Sequence, residues 1–296
     1  MSEAPGSIRV GVAGWSYPDW EGFVYSRREK DKLRFVAGYL DLIEINSTFY
    51  RPPAAKTAGA WVRQTADLPE FFFSAKLHRD FTHEGRFSEA AARAFLDGLK
   101  PILDAGRLRH ILAQFPFTFA ESPEARSLLR AITESLRGTA ALVLELRHRS
   151  WQASAALEFL VGLGVTVANL DYPVGKDSFD LRECRIGEHG YLRLHGRNRV
   201  AWFDRKAGRN ETYNYLYSKP EVDDIRARAV SLAKTFRSLT IVANNHYQGK
   251  EVANALQLKA MLSGQKVRVP PDLLRQYPEL AEVARERNPH EDGALF

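Results

Sequence analysis

The run FFFSAKLH, residues 71–78, decides how the rest of the chain is read. Side chains along a strand alternate faces. Phe71, Phe73, Ala75 and Leu77 therefore form one apolar face, and Ser74, Lys76 and His78 share the other. In a barrel, one face of each strand meets the surrounding helices and the other points inward. This run thus reads as a barrel strand with a polar interior face. Seven further short, β-rich runs flank it: 8–14 (IRVGVAG), 41–46 (DLIEIN), 110–115 (HILAQF), 141–147 (ALVLELR), 165–171 (VTVANLD), 191–196 (YLRLHG) and 239–245 (LTIVANN).

Helical stretches alternate with these runs. Ser122-Pro123 opens 123–137 as an N-cap followed by proline at the first helical position. Ser218 with Glu221 three residues on reads as a capping box. The apolar spacing of 87–103, 150–164 and 249–262 gives each one buried face. Between the sixth and seventh runs, residues 172–190 show no clean helix. Eight strands alternating with helices predict a (β/α)8 TIM barrel with a short or irregular sixth helix. The rival is an open doubly wound sheet, but GVAGWSYPDW lacks the G-x-G-x-x-G turn that usually opens one. The expected organisation is one barrel domain over 8–283, with flexible tails at 1–7 and 284–296.

Composition bounds the partners. Among 296 residues, 42 Lys and Arg against 36 Asp and Glu leave a charge of +6, which permits an anionic partner without requiring nucleic acid. The single cysteine, Cys184, excludes an internal disulfide and a multi-cysteine zinc site, and it reads as inert. The opening MSEAPGSIRV has neither a basic n-region nor an apolar h-region, and no apolar run approaches the roughly 20 residues a bilayer needs. A cytoplasmic protein without a membrane partner is expected. The oligomeric state is not legible.

Sorting each strand by parity assigns polar groups to the barrel interior, near the C-terminal ends where barrel enzymes keep their active sites. The deeper tier is Glu44, Lys76, Glu145 and Arg193, with Asn46, Gln114 and Asn244 among the neutral groups. The rim is His78, Arg147, Asp171, His195 and His246. Three inward cations (Lys76, Arg147, Arg193) then balance three anions (Glu44, Glu145, Asp171). Such equality is also what internal ion pairs would produce, for instance Glu145 with Arg193 or with Lys76.

Several motifs, in order along nearly the whole chain, resemble the YecE-like family, domain of unknown function 72: 11–25 (GVAGWSYPDWEGFVY), 43–53 (IEINSTFYRPP), 71–83 (FFFSAKLHRDFTH), 112–119 (LAQFPFTF), 144–151 (LELRHRSW), 191–198 (YLRLHGRN) and 244–258 (NNHYQGKEVANALQL). The resemblance implies a TIM barrel and a site location, not a reaction. The segment after the seventh strand departs locally, its centre RKAGR (205–209) being more basic than the family pattern.

The leading expectation is an enzyme, hydrolase or lyase before oxidoreductase, acting on an anionic small molecule that carries phosphate or carboxylate. Arg147, Arg193 and Lys76 would hold the anion with Glu44 alongside. Glu145, His195, His246 and His78 would move protons, while Asn46, Gln114 and Asn244 bind neutral parts of the substrate. No cofactor is expected. Glu145, Asp171, His195 and His246 have the chemical types of a divalent-metal site, which is the alternative. A second alternative is a non-catalytic nucleic-acid-binding protein using Arg205, Lys206 and Arg209. An imine at Lys76 is disfavoured, because neighbouring glutamates would raise the amine's pKa. The start of the last helix, near Gln248 and Gly249, is a candidate anion site, and the long connection from Gly196 to Tyr217 is a candidate lid.

Overall fold

The structure is a computed structural model describing residues 6–286. Its strands are β1 (Ser7–Ala13), β2 (Leu42–Ile45), β3 (Phe72–Lys76), β4 (Leu108–Gln114), β5 (Ala141–Glu145), β6 (Thr166–Val167), β7 (Asn169–Asp171), β8 (His189–Leu194) and β9 (Ser238–Ala243). They form one parallel sheet in the order β6-β5-β4-β3-β2-β1-β9-β8-β7. The two ends of that order, β6 and β7, are separated only by Ala168, whose N–H donates to the Leu144 carbonyl at 2.9 Å. The sheet therefore meets itself, and the nine segments act as the eight strands of a TIM barrel.

Helices follow the strands in βαβ alternation: Lys32–Ala37, Ala55–Gln64, Glu89–Asp104, Pro123–Leu136, Ser154–Leu163, Lys219–Ala233 and Lys250–Ser263. The two expected start signals are present. Ser122 accepts the Ala125 N–H at 3.1 Å, and Glu221 accepts both the Ser218 N–H and its hydroxyl at 2.8 Å. No helix forms between β7 and β8. Asn169 instead clips that irregular stretch to the barrel, its amide exchanging hydrogen bonds of 2.9 and 2.8 Å with the Cys184 backbone. Buried Cys184 has its thiol pushed up to about 11 by desolvation, in keeping with an inert thiol.

The expected tails are shorter than read. Ser7 already belongs to β1, and Arg285 donates its N–H to Val267 at 2.7 Å beside an Ala284–Val267 bridge. The rest of both tails, 1–5 and 287–296, lies outside the described residues. Among the described residues, no helix is long and apolar enough to cross a membrane.

Two apolar layers hold the barrel. One lies between sheet and helices and takes Val12, Ile43, Phe73, Ile111, Leu144, Leu192 and Ile241 from alternate strand positions. The other fills the interior with Leu42, Phe72, Leu112, Val143, Ala168, Leu170 and Val242. This second list corrects one parity assignment. On β6–β7 the interior face is Ala168, Leu170 and Tyr172, so Asn169 and Asp171 point outward on the face they share with Val165 and Val167.

Candidate active site at the C-terminal mouth

Above the interior apolar layer, four buried charges form one chain. Arg193 Nη2 donates to Glu44 Oε1 at 2.6 Å, and Arg193 Nη1 donates to Glu145 Oε2 at 2.5 Å and to Gln114 Oε1 at 3.2 Å. Arg147 closes the far end, its Nε donating to Glu145 Oε1 at 2.7 Å. Tyr191 donates its hydroxyl to the second Glu44 oxygen at 2.9 Å. Burial alone would raise the Glu145 carboxyl, but Arg193, then Arg147, hold it well below the usual carboxylate range. Burial likewise disfavours the Arg193 charge, and Glu145 and Glu44 reverse that effect. Breaking such a pair from one side costs about 3–5 kcal/mol, because a buried charge is left alone. Arg193, expected to hold substrate, is instead enclosed, with both terminal nitrogens on the barrel's own acids and its Nε without a partner; it positions the carboxylates.

Two glutamates against two arginines sum to zero. Asp171, counted as the third anion, lies outside the wall. It accepts Arg197 Nε at 2.9 Å, Arg197 Nη2 at 2.7 Å and the Tyr217 hydroxyl at 2.8 Å. Lys76 is therefore the surplus interior cation. Its Nζ makes no hydrogen bond or ion pair with any described residue and lies 4.2 Å from the centre of the Phe49 ring. Desolvation, reinforced by Arg193, brings the amine down to about 7, against the weaker upward pull of Glu145 and Glu44. The glutamates do raise this amine, as expected, but desolvation and Arg193 outweigh them and the net shift is downward.

The histidines are placed differently from one another. Fully buried His195 has Nδ1 at 3.0 Å from the Asn244 amide, which donates to it, so Nε2 carries the proton and faces Glu145 Oε1 at 3.3 Å. Desolvation outweighs Glu145 and lowers its pKa to about 4. Tyr172, Trp202 and Tyr213 surround its ring, with centroids 6.3, 5.8 and 6.2 Å away. His246 stacks on Tyr17 at 4.7 Å, and neither of its ring nitrogens has a hydrogen-bond partner; desolvation, then Arg209, lowers it to about 3. Burial therefore favours the neutral imidazole at both positions. His78 caps the short helix Arg79–Thr82. Its Nδ1 accepts the Asp80 N–H at 3.3 Å, and its Nε2 lies 3.2 Å from the Tyr50 carbonyl, so the ring is spent on structure.

The connection from Gly196 to Tyr217 folds over the mouth through helices Arg199–Phe203 and Arg209–Thr212. Gly196 starts it at φ +85°, where a side chain would also meet Tyr215. Tyr213 divides the mouth into two cavities. The smaller, about 340 Å³, is lined by Lys76, Asn46, Gln114, Asn244, Arg209 and Tyr50 among others. The larger, about 570 Å³, has Arg147 below and Trp202, Phe203 and Phe117 around it, with Lys176 and Arg205 offset by Asp177 and Asp204. The basic segment thus sends Arg205 and Arg209 to the two cavities. Arg209 makes no hydrogen bond or ion pair with a described residue, its guanidinium lying 5.8 Å from the Tyr17 ring centre.

Two expectations are not met. Among the described residues, no three His, Cys, Asp or Glu side chains gather to hold a metal, and Asp171 is on the wrong face to join Glu145, His195 and His246. The start of the last helix is also occupied, since the Gln248 N–H donates to Asp19 at 2.5 Å. Glu251 is passed over by the sequence reading, whereas Tyr17 and Tyr213 are already among the loop aromatics assigned to this end of the barrel. Glu251 lies fully buried in the first turn of Lys250–Ser263, and desolvation raises it well above a normal carboxyl against the weaker opposing effect of the Ala13 backbone. Its place on the buried face of an apolar helix was the available signal.

A closed β/α barrel with its polar groups collected at the C-terminal mouth defines the class of protein. Within that class the chain belongs to the DUF72 family: the family model described as "Protein of unknown function DUF72" matches residues 9–278. The chain is 27% identical over 272 residues to the UPF0759 protein YunF of Bacillus subtilis, covering 86% of this chain and 94% of that one. A DUF72 family protein from Thermotoga maritima is 31% identical, with a TM-score of 0.78 over 87% of this chain and 99% of that chain. Another from Enterococcus faecalis V583, at 22% identity and a TM-score of 0.76 over 86% and 95% of the two chains, shares the fold.

Proposed function

We propose that this protein is an enzyme that binds an anionic small molecule, phosphorylated or carboxylated, in the cavity between Lys76 and Arg209. The observation that carries this reading is a pair of cations facing one cavity, neither with a carboxylate partner. A half-buried cation such as Lys76 is normally paired, so its missing counter-charge is assigned to a ligand, and exposed Arg209 adds a second positive group at the rim of the same cavity. Asn46, Gln114 and Asn244 offer amides to its neutral part. Arg147 lies across Tyr213 and keeps one edge toward the larger cavity.

The proton-transferring group in this reading is Lys76, whose amine titrates near neutrality and can act as base or acid in the way catalysis rewards. The experiment is a thermal-shift series with inorganic phosphate, sugar phosphates and carboxylates on the wild type and on Arg209→Ala. A ligand at about 100 times its Kd stabilises by roughly 2.7 kcal/mol. A shift in the wild type that is lost in the variant supports the reading. No shift with any anion, or equal shifts in both proteins, contradicts it.

A further inference from the structure

We infer that Lys76 forms a covalent imine with a small aldehyde or ketone that carries an anionic group. The inference rests on the anion site proposed above and adds the chemical class of its ligand. Three observations carry it. The Lys76 amine has no hydrogen-bond acceptor or carboxylate among the described residues, so no anion in contact with it holds it in the ammonium form. It opens onto a cavity of about 340 Å³, room for a small organic molecule. The four-charge chain beside it is neutral without it, so the interior favours an uncharged amine at this position. Desolvation of the amine works in the same direction, lowering its pKa to about 7 and leaving a substantial fraction unprotonated at neutral pH.

The step is balanced as follows. The neutral Nζ attacks the carbonyl carbon, a C–N bond forms, and the carbonyl π pair moves to oxygen, which takes up the proton that the nitrogen gives up; the nitrogen's second proton leaves with the departing hydroxyl as water in the next step. The resulting carbinolamine loses that oxygen as water when the nitrogen lone pair forms the C=N bond. The sum is amine plus carbonyl giving imine plus water, with no oxidant or reductant required. Protonated, the imine is a cation lying over the Phe49 ring, an environment suited to positive charge. Arg209, on the same cavity, is placed for the ligand's phosphate or carboxylate. A cationic imine withdraws electrons from the adjacent carbon, so the reactions open to such a site are proton removal there or cleavage of a neighbouring C–C bond.

The test is reductive trapping. The full-length protein is incubated at pH 7 with dihydroxyacetone phosphate or with pyruvate, reduced with borohydride, digested and examined by mass spectrometry. The expected result is an adduct on Lys76 at least tenfold above that on any other lysine, suppressed by inorganic phosphate. Lys76→Arg, checked for folding by circular dichroism, should give no adduct. Absence of a Lys76 adduct with both carbonyl probes, or adducts spread over exposed lysines, overturns the imine. If phosphate still shifts the melting curve in that case, the anion site stands and only the covalent step fails. If phosphate does not shift it, both fail together.

Discussion

Two tiers of the same barrel interior differ in one respect. In the lower tier every charge has an opposite: Glu44, Arg193, Glu145 and Arg147 run as a chain through contacts of 2.5–2.7 Å. In the upper tier Lys76 stands alone over an aromatic ring, while exposed Arg209, on the connection that covers the mouth, lies beside another. The lower tier resembles a structural network, with only an edge of Arg147 left open to the larger cavity. The upper tier leaves its electrostatics incomplete, which in a buried setting is costly unless a ligand completes it. Paired charge therefore marks the scaffold here, and surplus charge marks the site.

This contrast can be broken first at Arg193. Arg193→Met should lower unfolding free energy by about 3–5 kcal/mol, because Glu44 and Glu145 lose their shared counter-ion; urea titration measures it. A loss below about 1 kcal/mol would mean that the chain is not a structural unit. Asp171→Asn comes next. It weakens the Arg197 and Tyr217 contacts and should cost ~1–3 kcal/mol while leaving phosphate affinity unchanged. A weakened affinity would return Asp171 to the site.

Lys76→Met acts in the opposite direction. The folded-state pKa of Lys76 lies below its unfolded value, so its burial penalty is full below about pH 7 and fades as pH rises toward the ordinary lysine value near 10.5. The variant should gain ~1–2 kcal/mol at pH 6, with no difference from wild type by about pH 10.5, and it should bind no phosphate. A destabilised variant at pH 6 contradicts the surplus-cation assignment. The smallest effect is expected at Glu251. Its folded pKa is raised, so the stability that comes from holding its proton is present below the unfolded value near 4.5 and is lost as pH rises. Glu251→Gln should therefore match wild type near pH 4 and exceed it by ~1 kcal/mol at pH 7. Parallel pH profiles would show that the carboxyl is not buried in its neutral form.

Much of the barrel was legible because strand parity and helix start signals are local. FFFSAKLH sorts correctly by alternation alone, and Ser122-Pro123 caps the helix it was expected to cap. The reading of VTVANLD failed for an instructive reason. Polarity was taken to mean inward, although Asn169 and Asp171 share parity with Val165 and Val167, which pack against the helices. Counting Asp171 as interior produced three anions and hid the surplus of Lys76. Partner choice was not legible either: nothing in the spacing says that Glu145 takes Arg193 and Arg147 and leaves Lys76 free. The same holds for His195 and His246, whose neutrality depends on burial beneath Tyr213 and Tyr17, residues far away in sequence.

The central claim is that Lys76 is the uncompensated cation of the interior. Its most direct test is an NMR titration of protein carrying ¹³C at lysine Cε, with the Lys76 signal assigned by its disappearance in Lys76→Met. The account predicts one lysine titrating near pH 7, displaced upward when phosphate is added, while the other signals move only at strongly alkaline pH. A Lys76 signal that titrates with the exposed lysines, unaffected by phosphate, would contradict it.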